Sequence, residues 1–280
     1  MKHVVVIGAG TMGHGIAQVF AMANISTYLL DNNEEVLANG LARVASNLDK
    51  GVARGKVTEE AREQALAHLH RGDMENSLPG ANLVIEAVPE RMDLKQSLFQ
   101  AVAERVSSDC ILATNTSSLS ISTIASAVPH PERVIGMHFF NPVHIMALLE
   151  VVVGRQTSDA VLEAVQQAGE RIGKEVIVVQ DVPGFATSRL GVCLGMEAIR
   201  MVEQGVASAE DIDKAMVLGY RHPIGPLRLT DLVGLDVRMA IGSYLATELN
   251  NPAFSPPDLM KEMVRTGRLG KKTGSGFYDW

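Results

Sequence analysis

The chain has 280 residues, 46% of them hydrophobic and 20% charged, with a formal net charge of -7. That length buries one large core or two ordinary ones without disulfide or metal staples, and the composition is that of a folded globular chain, not a disordered or fibrous one. The acidic balance, with no Lys/Arg block, excludes a general nucleic-acid binder, so any anionic ligand must be met by local cations.

The first apolar run, His3 to Ile7, is too short for a secretory signal and passes directly into Gly-Ala-Gly. No window approaches the ~18 apolar residues that a membrane helix requires. Cys110 and Cys193 lack both metal spacing and a secretory context and read as buried thiols. The expectation is a soluble cytoplasmic protein with no metal centre and no membrane partner.

The opening segment VVVIGAGTMGHGIAQVF runs strand, Gly8-x-Gly10-x-x-Gly13, helix. Gly8 suits the tight turn, Gly10 the approach of a pyrophosphate and Gly13 close helix packing, with Thr11 and Met12 completing the loop at a helix N-terminus that favours phosphate. Three glycines alone are weak evidence, but here a second strand, Ser26–Leu30, ends at Asp31, about 20 residues on as the dinucleotide fingerprint requires. Asp31 is either the N-cap of the following helix or the carboxylate that takes the adenosine ribose hydroxyls; the second role selects NAD, because a 2′-phosphate would face a like charge.

Short Val/Ile/Leu-rich runs then alternate with segments of helical period, the pattern of a doubly wound, mostly parallel sheet of Rossmann type. Besides Val4–Ile7 and Ser26–Leu30, the expected strands are Leu83–Ala87, Ile111–Ala113, Val134–Met137, Leu149–Val153 and Glu175–Val179. Between the second and third lies an insert, Asn33 to Leu69, that reads as a helical hairpin leaning off the sheet, with Arg54-Gly55-Lys56 at its tip. Arg54 and Lys56 are either a solvated basic turn or local cations for an anionic ligand.

Two stretches stand at strand ends, where an open parallel sheet holds its ligand: Asn115-Thr116-Ser117-Ser118, and His138 after Val134–Met137. A histidine there serves as a general base if another group fixes its tautomer, and Glu150, returning on the next strand, is placed to do so. A structural His-Glu contact in the core is the alternative. His144 falls in the connecting loop.

At Asp181-Val182-Pro183-Gly184 the character changes, and residues 1–183 and 184–280 are expected as separate domains. Beyond it Phe185–Gln204, Ser208–Val217, Thr230–Leu249 and Pro257–Thr266 read as helices, giving an all-α C-terminal domain.

Taken together, Gly8 to Gly13, Asn115 to Ser118, Gly136-Met137-His138-Phe139-Phe140-Asn141-Pro142, Asp181 to Phe185, His222-Pro223-Ile224-Gly225-Pro226 and Lys271 to Tyr278 resemble the 3-hydroxyacyl-CoA dehydrogenases, most nearly their short bacterial 3-hydroxybutyryl-CoA type. The resemblance implies oxidation of an L-(S)-3-hydroxyacyl-CoA thioester by NAD to the 3-ketoacyl-CoA, and the reverse. It implies His138 as base, Glu150 as the residue orienting it and Ser117 as a hydrogen-bond partner of the reacting oxygen. Asn141, Glu90, Lys95 and Lys272 fall on cofactor-contacting positions and Arg54 on a CoA-contacting one, with Lys56 as a second cation beside it. A homodimer paired through the helical domain is also implied. One position departs: where the family carries asparagine after Pro-Gly-Phe-x-x, this chain has Ser188, a shorter group whose hold on the substrate oxygen is in question. The rival readings are a dehydrogenase of a free hydroxy acid or sugar acid, which would not need the basic hairpin tip, and a non-catalytic NAD(H)-binding protein.

Overall fold

The computed structural model describes Met1 to Trp280, and the chain divides into two compact units, Met1–Asp181 and Val182–Trp280. The first comprises β1 (His3–Ile7), α1 (Gly13–Met22), β2 (Ser26–Leu30), α2 (Glu34–Ala53), α3 (Glu59–His68), β3 (Leu69–Arg71), β4 (Leu83–Glu86) and α4 (Met92–Ala103). It continues through β5 (Ile111–Thr114), α5 (Ile121–Ala125), β6 (Val134–Phe139), β7 (Leu148–Val153), α6 (Asp159–Arg171) and β8 (Glu175–Gln180).

The strands form one eight-stranded sheet in the order β3-β2-β1-β4-β5-β6-β7-β8. Every neighbouring pair is parallel except β6 and β7. The central strands are covered on both faces, so Val4, Val5 and Val6 are all 0% exposed and the strand reads as a continuous apolar run without alternation. The core continues through Ile16 and Phe20 of α1 and through Ile135, Met137, Leu149 and Val151 of β6 and β7. Chain order reverses between β1 and β4, which opens a crevice at their carboxyl ends.

Side-chain caps begin four of these helices: Asn33 accepts from Glu35 N and Val36 N at α2, and Thr58, Ser120 and Ser158 cap α3, α5 and α6. Asp181 closes the unit by accepting from Ile121 N and Ser122 N at 3.0 and 2.7 Å, the amides that begin α5.

The insert is a helical hairpin, but its base is docked and does not lean away. Leu37, Val44 and Leu48 are buried, and Asn47 Nδ2 donates to Gln18 Oε1 of α1 at 3.1 Å. Its end, Leu69, starts the short edge strand β3, which the sequence reading lacks because three residues carry no measurable period. β6 also runs on to Phe139, so His138 lies within a strand and not beyond its end; cross-strand pairing with β7 extends it.

The second unit holds α7 (Thr187–Glu203), α8 (Ala209–Lys214), α9 (Pro226–Val233), α10 (Leu235–Glu248) and α11 (Asp258–Arg265), around Val192, Met196, Ile199, Leu227, Leu245 and Met260. The stretch Thr230–Leu249, expected as one helix, is two, because Gly234 takes φ 104°, a conformation no other residue type adopts cheaply and one that ends α9. α8 stops at Lys214 and widens into a π-turn over Ala215–Gly219. No helix of either unit is long and apolar enough to cross a membrane.

Candidate active site

At the crevice between β1 and β4 the glycine loop fits a dinucleotide in detail. Gly8 has φ 103°, and a Cβ on it would lie 2.6 Å from Ala87 O; one on Gly13 would lie 1.6 Å from Gly8 O. Gly10 is the contrast, since a Cβ there would meet nothing within 4 Å. Gly8 and Gly13 are therefore required by the protein's own packing, while the open space at Gly10 is what a pyrophosphate needs. Met12, the N-cap of α1, makes no side-chain cap, which leaves the helix's first amides to a ligand. Gly8, Gly10, Thr11, Met12 and Asp31 line a groove of about 1100 Å³.

Asp31 is not the helix cap, which is Asn33. Its Oδ2 accepts from Ala9 N at 2.8 Å and its Oδ1 from Asn33 N at 2.9 Å, so the carboxylate joins the glycine loop to the end of β2.

A second cluster lies at the ends of β4 and β5. Glu90 Oε1 accepts from Thr116 Oγ1 at 2.5 Å, Ser117 N at 3.0 Å and Ser118 Oγ at 3.2 Å, and Oε2 lies 3.3 Å from Lys95 Nζ. Burial pushes the Glu90 carboxyl up, but the Lys95 ammonium and the hydrogen bonds from Thr116 and Ser117 outweigh it and hold the group below its ordinary value. Lys95 does not reach the groove wall. It is 1% exposed, its Nζ 2.6 Å from Glu86 Oε1, and Glu86 takes Thr114 Oγ1 on its other oxygen at 2.7 Å. Glu86 and Thr114 are site-supporting residues absent from the sequence reading, and Thr116, within a stretch it singled out, gains its role from Glu90. The signal for Glu86 was present, a lone acid in the apolar run Leu83–Ala87, the same pattern that drew attention to Glu150.

His138 and Glu150 face each other in register across β6 and β7. His138 Nδ1 lies 2.8 Å from Glu150 Oε2, with the side chains 9% and 0% exposed. An ionised carboxylate can only accept, so with Glu150 ionised this contact places a hydrogen on His138 Nδ1. Asn115 Oδ1 accepts from Phe139 N at 2.9 Å, tying the end of β5 to the residue after the histidine, and the Phe140 ring lies tilted against the imidazole with centroids 4.4 Å apart. Asn115 belongs to a motif singled out in the sequence, but this positioning contact did not follow from it. Asn141 follows, exposed, before a cis bond to Pro142. His144 sits in the loop, its pKa pushed down by burial and then by the neighbouring His14 and Lys174.

Arg54 and Lys56 are exposed at the hairpin tip, with Gly55 at φ 63° making the turn. In the second unit Ser188 is half-buried in the first turn of α7, and Lys272 Nζ is 2.6 Å from each oxygen of Asp236.

Residues 3–182 match the family model described as 3-hydroxyacyl-CoA dehydrogenase, NAD binding domain, and residues 184–280 match its C-terminal domain. The chain belongs to the 3-hydroxyacyl-CoA dehydrogenase family. It is an NAD-dependent oxidoreductase. A 3-hydroxybutyryl-CoA dehydrogenase of Clostridioides difficile is 42% identical over 98% of both chains, and one of Mycobacterium tuberculosis is 42% identical over 100% of this chain and 99% of its own. The solved (S)-3-hydroxybutyryl-CoA dehydrogenase of Ralstonia eutropha superposes with a TM-score of 0.96 at 41% identity, covering 100% of this chain and 99% of that one.

Proposed function

We propose that this dehydrogenase interconverts (S)-3-hydroxybutyryl-CoA and acetoacetyl-CoA, with His138 as general base and Glu150 as the residue that orients it. The supporting observation is the buried 2.8 Å contact between His138 Nδ1 and Glu150 Oε2, which fixes the orientation of the imidazole ring. When bound, NAD supplies the acceptor for the hydrogen that leaves C3 as hydride. The residues do the rest. His138 Nε2 takes the hydroxyl proton as the carbonyl forms, and Glu150 stabilises the resulting imidazolium. Ser117, steadied through Glu90, donates a hydrogen bond to the reacting oxygen, and Ser188 provides a second, shorter donor. Gly8 to Gly13 and Asp31 hold the dinucleotide, Asn141 places its nicotinamide end, and Lys272 is a further cofactor contact. Lys95 acts behind Glu90. Arg54 and Lys56 meet the phosphates of CoA.

The same proposal has the enzyme working as a cytoplasmic homodimer, with the second unit as pairing domain. It is supported by two free cysteines and by the exposure of Leu190 (72%), Leu218 (77%) and Tyr220 (77%) on the single chain.

NADH absorbance followed with acetoacetyl-CoA, and then NAD with a free 3-hydroxy acid, tests the substrate. Turnover of the thioester alone is expected. Activity on the free acid with none on any thioester would replace this reading with the hydroxy-acid one.

A further inference from the structure

The adenosine end of the groove contains a charge arrangement that the family reading does not use. Arg71, the last residue of β3, pairs in register with Leu29, and Gly72 N donates to Leu29 O at 3.0 Å, so the arginine stands two positions short of Asp31 on the neighbouring strand. Its guanidinium forms an ion pair with Glu34, in the first turn of α2. Among the residues lining the groove Arg71 is the only lysine or arginine, against three acids, Asp31, Glu34 and Asp73. The pair is solvated, 58% and 64% exposed, so it adds little to folding stability and its consequence lies in the charge it presents to a ligand.

We propose that Glu34 and Arg71 form a second determinant of dinucleotide choice: Glu34 occupies the one cation at the adenosine end and so keeps it from a 2′-phosphate. An arginine near the acidic residue after the second strand is the group that accommodates that phosphate in NADP-binding sheets of this kind, and its planar fork holds phosphate through paired donors. Here such an arginine is in place but neutralised, beside a second carboxylate that repels the same phosphate. Asp31 therefore does not act alone in selecting NAD.

The proposal rests on the groove being the NAD site, and direct binding separates the two. Dissociation constants of NADH and NADPH are measured by fluorescence titration for wild type, Glu34→Gln, Glu34→Gln/Arg71→Ala and Glu35→Gln, which removes the same charge from the same turn outside the groove. In Glu34→Gln the ratio Kd(NADPH)/Kd(NADH) is expected to fall about tenfold, the size of removing one charge from a phosphate's near surroundings in water. The added Arg71→Ala should cancel that gain, and Glu35→Gln should leave the ratio near wild type. A ratio unmoved by Glu34→Gln, a gain that survives loss of Arg71, or an equal gain in Glu35→Gln overturns the proposal while NADH binding remains intact. Failure of the wild type to bind NADH would instead remove the reading beneath it.

Discussion

Replacing Glu150 by glutamine tests the proposed catalytic role of the His138–Glu150 pair with minimal change of shape. Glu150 is 0% exposed and 2.8 Å from His138 Nδ1, so the amide fits where the carboxylate stood. Two things are lost. A charge-assisted hydrogen bond becomes a neutral one, a difference of about 1–2 kcal/mol and near tenfold in rate if it is felt at the transition state. The amide can also turn its NH2 toward Nδ1, which moves the imidazole hydrogen to Nε2 and removes the base. Together these should lower kcat on the order of 10²-fold or more, with KM and NADH affinity little changed. The unfolding midpoint should hold or rise, since an amide is less costly to bury than a carboxylate. The assay is steady-state NADH oxidation with acetoacetyl-CoA, alongside NADH titration. A kcat within about threefold of wild type in a folded, NADH-binding protein would refute the role given to Glu150.

Gly13→Ala places a Cβ 1.6 Å from Gly8 O, so the loop must open, and NADH binding by calorimetry should be lost; retention of wild-type affinity would show that the turn is not what forms the site. Lys95→Met leaves Glu86 buried at 1% exposure without its cation and should cost about 3–5 kcal/mol in urea unfolding, with a loss below about 1 kcal/mol counting against the ion pair as a structural element. The Glu90 carboxyl is held below its ordinary value of 4.5, so its folded form gains stability from being ionised. That contribution is complete above the unfolded value and disappears as pH falls through the folded one. The stability gap between wild type and Glu90→Gln should therefore be constant near neutrality and narrow below pH 4.5; a gap independent of pH would mean that the carboxylate charge is not what holds residues 116–118.

The parts legible in the sequence are those where a local pattern and a physical demand coincide. The central strands are apolar on both faces, so they register as runs, and Gly8, Gly13 and Asp31 sit at fixed offsets because backbone approach leaves no alternative. β3 escaped because its three residues include a histidine and an arginine and are held only by the edge of β2. With it went Arg71, whose meaning depends on Glu34 arriving from a different element. The break at Gly234 was hidden because Leu232 and Val233 before it and Leu235 and Val237 after it keep the stretch apolar across the interruption. Glu86 was overlooked for a related reason: its partner Lys95 was expected to face the cofactor, and the fold instead turns it inward onto Glu86.

The reversed strand β7 bears on how the site comes together. Ala9 and Asp31 meet across 22 residues and Thr116 and Glu90 across 26, in each case through a crossover, whereas His138 and Glu150 are 12 apart on one hairpin. A short loop loses little entropy on closing, and contacts of small sequence separation form fast. The His138–Glu150 contact thus closes a shorter loop than either of the two crossover contacts and depends on the hairpin that carries it.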